Sequence, residues 1–311
     1  MTIRVLICDP LSEEAIKILK DKGFILDFAD SPPPDQLANI IKGYDAIIVR
    51  SATKVTREVI DAGVNLKIIA RAGTGLDNID VKYAQKKNIA VINSPEGNAN
   101  AVAELTIGLI FALLRMIPQA YVTLKEKKWM KRQFKGIELA GRTVGVIGLG
   151  NIGSIVALKL KCLGASVIGF KKHNVKEKAR KLGIHPAKSL DSLLKESDIV
   201  TLHVPLTDET RHMIDYREFD LMKDEVYLVN TARGAIINGK ALLENLNKGK
   251  VAGAALDVFE NEPPKEPWEW ELVRHPKVIA VPHIGAMTKE AQKKVGITIA
   301  KKLIEYFSRY V

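Results

Sequence analysis

Short β-branched runs recur through the first third of the chain as RVLICD, FILDFAD, YDAIIVR, LKIIARAG and NIAVIN, and the segments between them place polar and apolar positions in helical phase. The stretch LSEEAIKILKDKG shows why these connections read as helices. Ser12 can cap the first turn, Glu13 and Glu14 favour its positive end, Ala15, Ile16 and Leu19 share one face, and Gly23 stops it. Strands that alternate with helices predict a parallel sheet covered on both faces. The alternation breaks at SPEGNAN, where a linker is expected, and a long helix is predicted from near Asn98 to about Pro118. From Thr143 it restarts with TVGVIG, SVIGF, DIVTL, EVYLVN, AGAALDVF and KVIAVPH. The expected fold is therefore α/β, with two doubly wound parallel-sheet domains. The last amphipathic segment, TKEAQKKVGITIAKKLIEYF, fits either of them by pattern alone.

Composition narrows the class. A chain of 311 residues with 47% hydrophobic content is long enough to bury roughly three quarters of its unfolded surface. The longest apolar run, within Leu105 to Leu114, falls well short of the ~20 residues that span a bilayer, so no membrane partner is expected. The opening MTIRVLICDP is too brief in its apolar part for a signal peptide and carries Asp9. Cys8 and Cys162 make neither CxxC nor metal-ligand spacing, which leaves a metal unexpected and the cytoplasm as the expected compartment. The formal charge of +11 is concentrated in Lys125 to Lys135 and Lys171 to Lys181. Neither stretch has the context of a nucleic-acid module, and no nucleic-acid partner is expected.

Chemistry enters at TVGVIGLGNIGSIVALKLK, where Gly148, Gly150 and Gly153 form G-x-G-x-x-G between a strand and a helix. In that context the first glycine allows the turn, the second lets a pyrophosphate approach the backbone, and the third lets helix meet strand. A dinucleotide site is favoured over a ligand-free turn. The next strand runs VIGFKKH and ends on Lys171 and Lys172, where such folds usually place an acid. Three further polar residues follow buried strands: Arg233 in VNTARGAI, Glu262 in DVFENEPP and His283 in VPHIG. Carboxyl ends of parallel strands converge on one edge, the edge of the glycine turn, so the three suit a redox site. His283 can act as base near neutral pH, Glu262 can orient its ring, and Arg233 offers a planar fork for a carboxylate. Each alone also reads as a loop salt bridge or a hydrogen-bonded structural residue. His203 in LHVPLT and Asp257 in ALDVF either line the cofactor site or are merely structural.

Together the motifs IVRSATKVT, ARAGTGLDNID, AELTIGLIFALLRMIPQA, GRTVGVIGLGNIG, VNTARGAIIN, GAALDVFENEPP and PHIGAMTKEAQ resemble the D-2-hydroxyacid dehydrogenase family over nearly the whole chain, and within it most of all the phosphoglycerate dehydrogenases. The resemblance implies a Rossmann nucleotide-binding domain, residues 97–285, inserted into a flavodoxin-like substrate domain, residues 1–96 and 286–311, and a homodimer paired through the nucleotide domains. It implies Arg233, Glu262 and His283 as the catalytic residues. For the cofactor, NAD, it implies contacts at Gly148, Gly150, Asn151, Ile152, Gly153, Lys171, His203, Pro205, Thr231, Ala232 and Asp257. For a small phosphorylated 2-hydroxy acid it implies Arg50, Arg71 and Gly73, with Lys131 and Arg132 near Trp129 in a segment that reaches the partner's site in this family.

Arg50 and Arg71 each end a strand of the first sheet, and that placement predicts that they face the inter-domain cleft. Two features depart from the family. The chain stops at Val311, so a C-terminal regulatory domain is not expected, and Lys171 stands where aspartate is usual. A carboxylate there would hold the adenosine ribose and repel a 2′-phosphate, so Lys171 predicts that NADP is tolerated beside NAD. The expected activity is oxidation of D-3-phosphoglycerate. Reduction of glyoxylate or hydroxypyruvate is the alternative, and a nicotinamide-sensing binding protein is a third reading from another class.

Overall fold

The computed structural model describes residues Ile3 to Arg309, and the chain forms two compact units, Met1–Ala99 with Ala286–Val311, and Asn100–Gly285. The first junction lies inside the SPEGNAN stretch.

In the first unit, β1 (Arg4–Ile7), β2 (Ile25–Phe28), β3 (Ala46–Val49), β4 (Ile68–Arg71) and β5 (Ala90–Asn93) form a parallel sheet ordered β2-β1-β3-β4-β5, the flavodoxin-like order. The first helix, Glu13–Asp21, begins where Ser12 Oγ accepts the Ala15 amide, and Gly23 beyond its end takes the left-handed φ of 82° that a side chain would resist. The last helix, Lys289–Ser308, belongs to this unit. Its Val295, Ile299, Leu303 and Phe307 pack in one core with Val5, Ile7, Leu19, Ile48 and Ile68. The register is set by Gly296, where a Cβ would lie 3.0 Å from Ser12 Oγ and 3.1 Å from Ala15 Cβ. That close helix crossing decides what the amphipathic pattern left open.

The second unit contains β6 (Thr143–Ile147), β7 (Ser166–Phe170), β8 (His185–Pro186), β9 (Ile199–Leu202), β10 (Val226–Asn230), β11 (Val251–Leu256) and β12 (Val278–Ala280). Their order, β12-β11-β10-β9-β6-β7-β8, is the Rossmann order extended by one strand. One core, with Phe219, Leu242 and Leu246, covers one face, and another, with Leu109, Ile110 and Leu160, covers the other. Two elements differ from expectation. The edge strand β8 is only two residues long and lacks any β-branched run. The single long helix is two, Ala99–Leu114 and Ile117–Lys125, bent by 64° where Met116 adopts a left-handed φ of 50° and Pro118 stands in the first turn of the second. No single helix among the described residues is long and apolar enough to cross a membrane.

Cys8, following β1, is fully buried, and burial reinforced by neighbouring Asp9 pushes its thiol up to about 12, whereas Cys162 is exposed. A thiol titration at pH 8 should therefore find one reactive cysteine in the folded protein and two after denaturation, with Cys162→Ser abolishing the native reaction. Rapid labelling of Cys8 in native protein would contradict this packing.

Candidate active site

The strand β6 delivers the chain into Gly148, whose φ of 95° and amide bond to Phe170 O, 2.9 Å, tie the turn to the end of β7. A Cβ on Gly148 would lie 2.5 Å from His203 O, and one on Gly153 would lie 1.8 Å from Gly148 O. These two glycines are required by backbone-to-backbone contact. Gly150 is different, because a Cβ there meets nothing within 4 Å. It stands exposed at the cap of the helix Asn151–Cys162, whose first amides and positive dipole end attract an anion. The open side of this turn suits a dinucleotide pyrophosphate. Asn151 is exposed in the first turn, and Ile152 packs against the core.

Lys171, Lys172 and His173 leave β7 exposed. Lys172 pairs with Glu209 from the segment after β9, at 2.5 Å, so one of the two lysines is partly compensated. Among the described residues Lys171 has no such partner within 4 Å, although its field reaches Glu177. His203 bonds Thr201 Oγ1 through Nε2 at 3.0 Å, while its Nδ1 is buried without a partner. Burial pushes this ring down to about 3, so it is neutral and contributes no charge beside the glycine turn. Pro205 is exposed, and its carbonyl accepts Thr210 Oγ1 at 2.6 Å.

The three strand-end residues are assembled by the loops after β10, β11 and β12. His283 Nδ1 lies 2.6 Å from Glu262 Oε2, and Glu262 Oε1 accepts the Phe259 amide at 3.2 Å. The His283 backbone has a φ of 51°, and its amide lies 2.9 Å from Asp257 O. Asp257 is 1% exposed and receives the Ile284 and Gly285 amides at 2.7 and 2.9 Å. Burial raises the pKa of this carboxyl, and the two amides only partly oppose it. In this arrangement the Asp257 carboxylate holds the His283 loop.

Arg233 follows a turn clamped by Asn230, whose side chain donates to Arg233 O at 2.9 Å and accepts the Ala232 amide at 3.0 Å. Arg233 Nη1 donates to Ala232 O at 2.6 Å, and buried Thr231 bonds Thr106 at 2.9 Å. A Cβ on Gly234 would sit 1.9 Å from the Phe259 carbonyl carbon. The Arg233 turn and the Glu262 loop thus lie backbone to backbone, and Gly234 is what allows it.

In the first unit, Val49 pairs with Arg71 across β3 and β4, so Arg50 and Arg71 emerge at neighbouring strand ends. Arg71 folds over Gly73, where a Cβ would lie 1.3 Å from Nη1, and Gly73 has a φ of 152°. Burial lowers the Arg50 pKa, with Asp9 opposing, and Nη2 lies 4.0 Å from Met287 Sδ. Lys131 and Arg132 are exposed on a 3₁₀ turn of the second unit, next to Trp129, itself 81% exposed.

Residues that sequence reasoning missed hold these loops from behind. Asp9 accepts the Arg50 amide and, at 2.7 Å, Ser31 Oγ, while Asn78 Nδ2 bonds Arg50 O and Thr53 O at 2.7 and 2.6 Å. Asn230 does the same for the Arg233 turn. Asp9 and Asn230 carry a legible signal, a small polar side chain at or just past the end of a buried strand. Asn78 carries none. Among the described residues no group of three or more His, Cys, Asp or Glu is placed to hold a metal.

The family profile "D-isomer specific 2-hydroxyacid dehydrogenase, NAD binding domain" matches residues 107–285. The chain is 46% identical over 301 residues to a D-3-phosphoglycerate dehydrogenase of Methanocaldococcus jannaschii, covering 97% of this chain and 57% of that protein. It is 47% identical over 304 residues to a hydroxypyruvate reductase of Thermotoga maritima, covering 97% of each. Thus it spans little more than half the length of the phosphoglycerate dehydrogenase and nearly all of the reductase. Among solved structures, a D-lactate dehydrogenase from Aquifex aeolicus complexed with NAD and lactic acid superposes with a TM-score of 0.85 at 31% identity, covering 98% of this chain and 95% of that one. From glycine turn to His283, the second unit carries the motifs of a known group, and the chain belongs to the D-isomer-specific 2-hydroxyacid dehydrogenase family, with residues 107–285 as its NAD-binding domain.

Proposed function

We propose that the protein is an NAD-dependent dehydrogenase that oxidises D-3-phosphoglycerate to 3-phosphohydroxypyruvate, the opening reaction of serine synthesis. The observation that carries the chemistry is the 2.6 Å contact between His283 Nδ1 and Glu262 Oε2. With Nδ1 donating to the carboxylate, the Nε2 lone pair remains to take the hydroxyl proton as hydride leaves the same carbon. Arg233 binds the substrate carboxylate through its planar fork and keeps the reacting carbon in line. Bound nicotinamide supplies the hydride acceptor. Gly150 and the first amides of its helix would hold the pyrophosphate, and Asn151, Ile152, Thr231, Ala232 and Pro205 are the further residues that would contact the cofactor.

The phosphate reading rests on Arg50 and Arg71, two cations at adjacent strand ends. A phosphorylated three-carbon acid needs a second anion site that an unphosphorylated one does not. The second reading, a hydroxypyruvate or glyoxylate reductase, is favoured by the near-equal length of the Thermotoga maritima relative. Turnover of any 2-hydroxy acid separates both from a nicotinamide sensor. We also propose a homodimer in the cytoplasm. The helix Ile117–Lys125 buries no residue, and Ile117, Tyr121, Val122 and Leu124 are each at least half exposed, so a second copy is the natural cover, with Lys131 and Arg132 beside it. Unpaired Cys8 and Cys162 suit a reducing compartment.

His283→Ala should lower kcat by ~10²-fold or more and leave the Kd for NADH unchanged, because it removes proton transfer and not binding. Retention of kcat to within about threefold would remove His283 from the chemistry.

Arg50→Ala and Arg71→Ala should each cost about 1.5 to 3 kcal/mol in kcat/KM for phosphoglycerate, the scale of a charged hydrogen bond, and clearly less for an unphosphorylated 2-hydroxy acid. Equal losses on both substrates would transfer the assignment to the reductase.

Lys171 lacks both the ribose-binding and the phosphate-repelling action of an acid, so the protein should bind NADPH as well as NADH, and Lys171→Asp should shift preference toward NADH. Fluorescence titration of both cofactors, beside kcat/KM, reads this. A parent preference for NAD above ~10³ that Lys171→Asp leaves unmoved would show that Lys171 does not read the ribose.

A further inference from the structure

Glu269 is 1% exposed and lies in the first turn of the helix Pro267–Arg274. Its carboxylate accepts four hydrogen bonds. Oε1 takes the Asn261 amide at 3.0 Å, and Oε2 takes Asn261 Nδ2 at 3.1 Å and the amides of Lys265 and Glu266 at 2.8 and 2.9 Å. Only the last of these is the ordinary work of a glutamate near a helix start. The other three reach back to Asn261 and Lys265, the residues on either side of the segment Glu262–Pro263–Pro264. Burial alone would raise the pKa of this carboxyl, yet the hydrogen bonds prevail and lower it, so the group keeps its charge indoors.

The same loop is braced at its other end by different groups. Glu260 Oε1 accepts the Gly239 amide at 3.1 Å, Glu260 Oε2 lies 3.4 Å from His212 Nε2, and the Phe259 backbone abuts Gly234. Those contacts fix the loop against the Arg233 turn. Beyond Glu260, Glu262 itself reaches back only through Oε1, which accepts the Phe259 amide at 3.2 Å, while the backbone on either side of it is held by Glu269. A two-proline segment has few amides of its own to anchor it, because proline donates none. The anchoring donors are therefore the flanking amides, and Glu269 collects them.

We propose that Glu269 is the positioning residue of the acid–base pair: it fixes the loop Asn261–Glu266 so that Glu262 Oε2 meets His283 Nδ1, and thereby selects the ring tautomer whose Nε2 is open to substrate. This rests on His283 being the base. Glu269 touches neither substrate nor cofactor in this scheme. The competing explanation is a helix cap alone, which would cost stability and leave the ring as it is.

The test is the 15N spectrum of histidine-labelled protein at a pH where His283 is neutral, with its signals assigned by their loss in His283→Asn. The parent should show the Nδ1–H tautomer. Glu269→Gln, which turns an N–H toward amide donors, should move His283 to the Nε2–H-rich mixture of free imidazole. It should also lower kcat on whichever 2-hydroxy acid the enzyme turns over by roughly tenfold or more, as loss of an orienting partner does, with KM and the Kd for NADH within about twofold. Glu262→Ala, which removes the acceptor of Nδ1–H, should reproduce the tautomer change. A Glu269→Gln protein with the parent tautomer and parent kcat but a lower Tm would make Glu269 a cap only and overturn the proposal. If Glu269→Gln does not fold, Glu269→Asp, which keeps the charge but is one methylene too short to reach Asn261, decides by the same two readouts. A changed tautomer with parent kcat would overturn the catalytic reading of His283 and leave the positioning intact.

Discussion

A buried parallel sheet delivers every loop of its functional edge with unpaired backbone groups, and those groups must find partners out of water. Here the partners are a few buried polar side chains placed beside the loops they hold. Asn230 closes the Arg233 turn, Asp257 gathers the amides that follow His283, and Asp9 holds the Arg50 amide. None of these has a role in the proposed chemistry. Their satisfaction fixes where Arg233, His283 and Arg50 begin, so the placement of the reactive groups is a by-product of hydrogen-bond accounting in the sheet's outer layer. The glycine turn meets the same demand without side chains, its first amide bonding directly to the end of β7.

The strand–helix alternation made the two sheets legible, because a period-2 apolar run and a 3.6-period face are local signals. The glycine turn was legible for a similar reason, since strand, spacing and helix lie within one contiguous stretch. Arg233, Glu262 and His283 could be singled out because each is a polar residue just past a buried run. The sequence suggested that Glu262 can orient the His283 ring, but not the backbone that lets the two meet. The contact of His283 with Glu262 spans 21 positions and depends on a φ of 51° at His283 that no residue type announces. Met116 is similar, since a β-unbranched hydrophobic residue in the left-handed region breaks a helix that periodicity would continue. The two-residue β8 has no pattern to read. Glu269 looks like one more charge in EPWEWELVR, and only burial reveals it.

Around the glycine turn, charge is concentrated at the exposed end of β7. His203 is neutral beside the turn, and the Asp257 carboxyl is held by the Ile284 and Gly285 amides. At the far end of the turn, Lys172 is compensated by Glu209, while among the described residues Lys171 has no comparable partner. An overall charge of +11 therefore does not describe the site. The charge is set locally, by burial and by neighbouring acids such as Glu209.

The packing of the last helix against the first has a consequence for how the chain acquires its structure. The second unit is contiguous in sequence and can complete its core as soon as Gly285 is made. The first unit is synthesised first but is missing Val295, Ile299, Leu303 and Phe307, which fill the same core as Val5 and Ile7. Its closure joins residues nearly three hundred positions apart, a loop whose entropic cost is reduced once the intervening unit is compact. During translation, the part of the Glu13–Asp21 face that packs on the last helix stays uncovered until Lys289–Ser308 has been made, and until then the amino-terminal sheet carries an unfinished core.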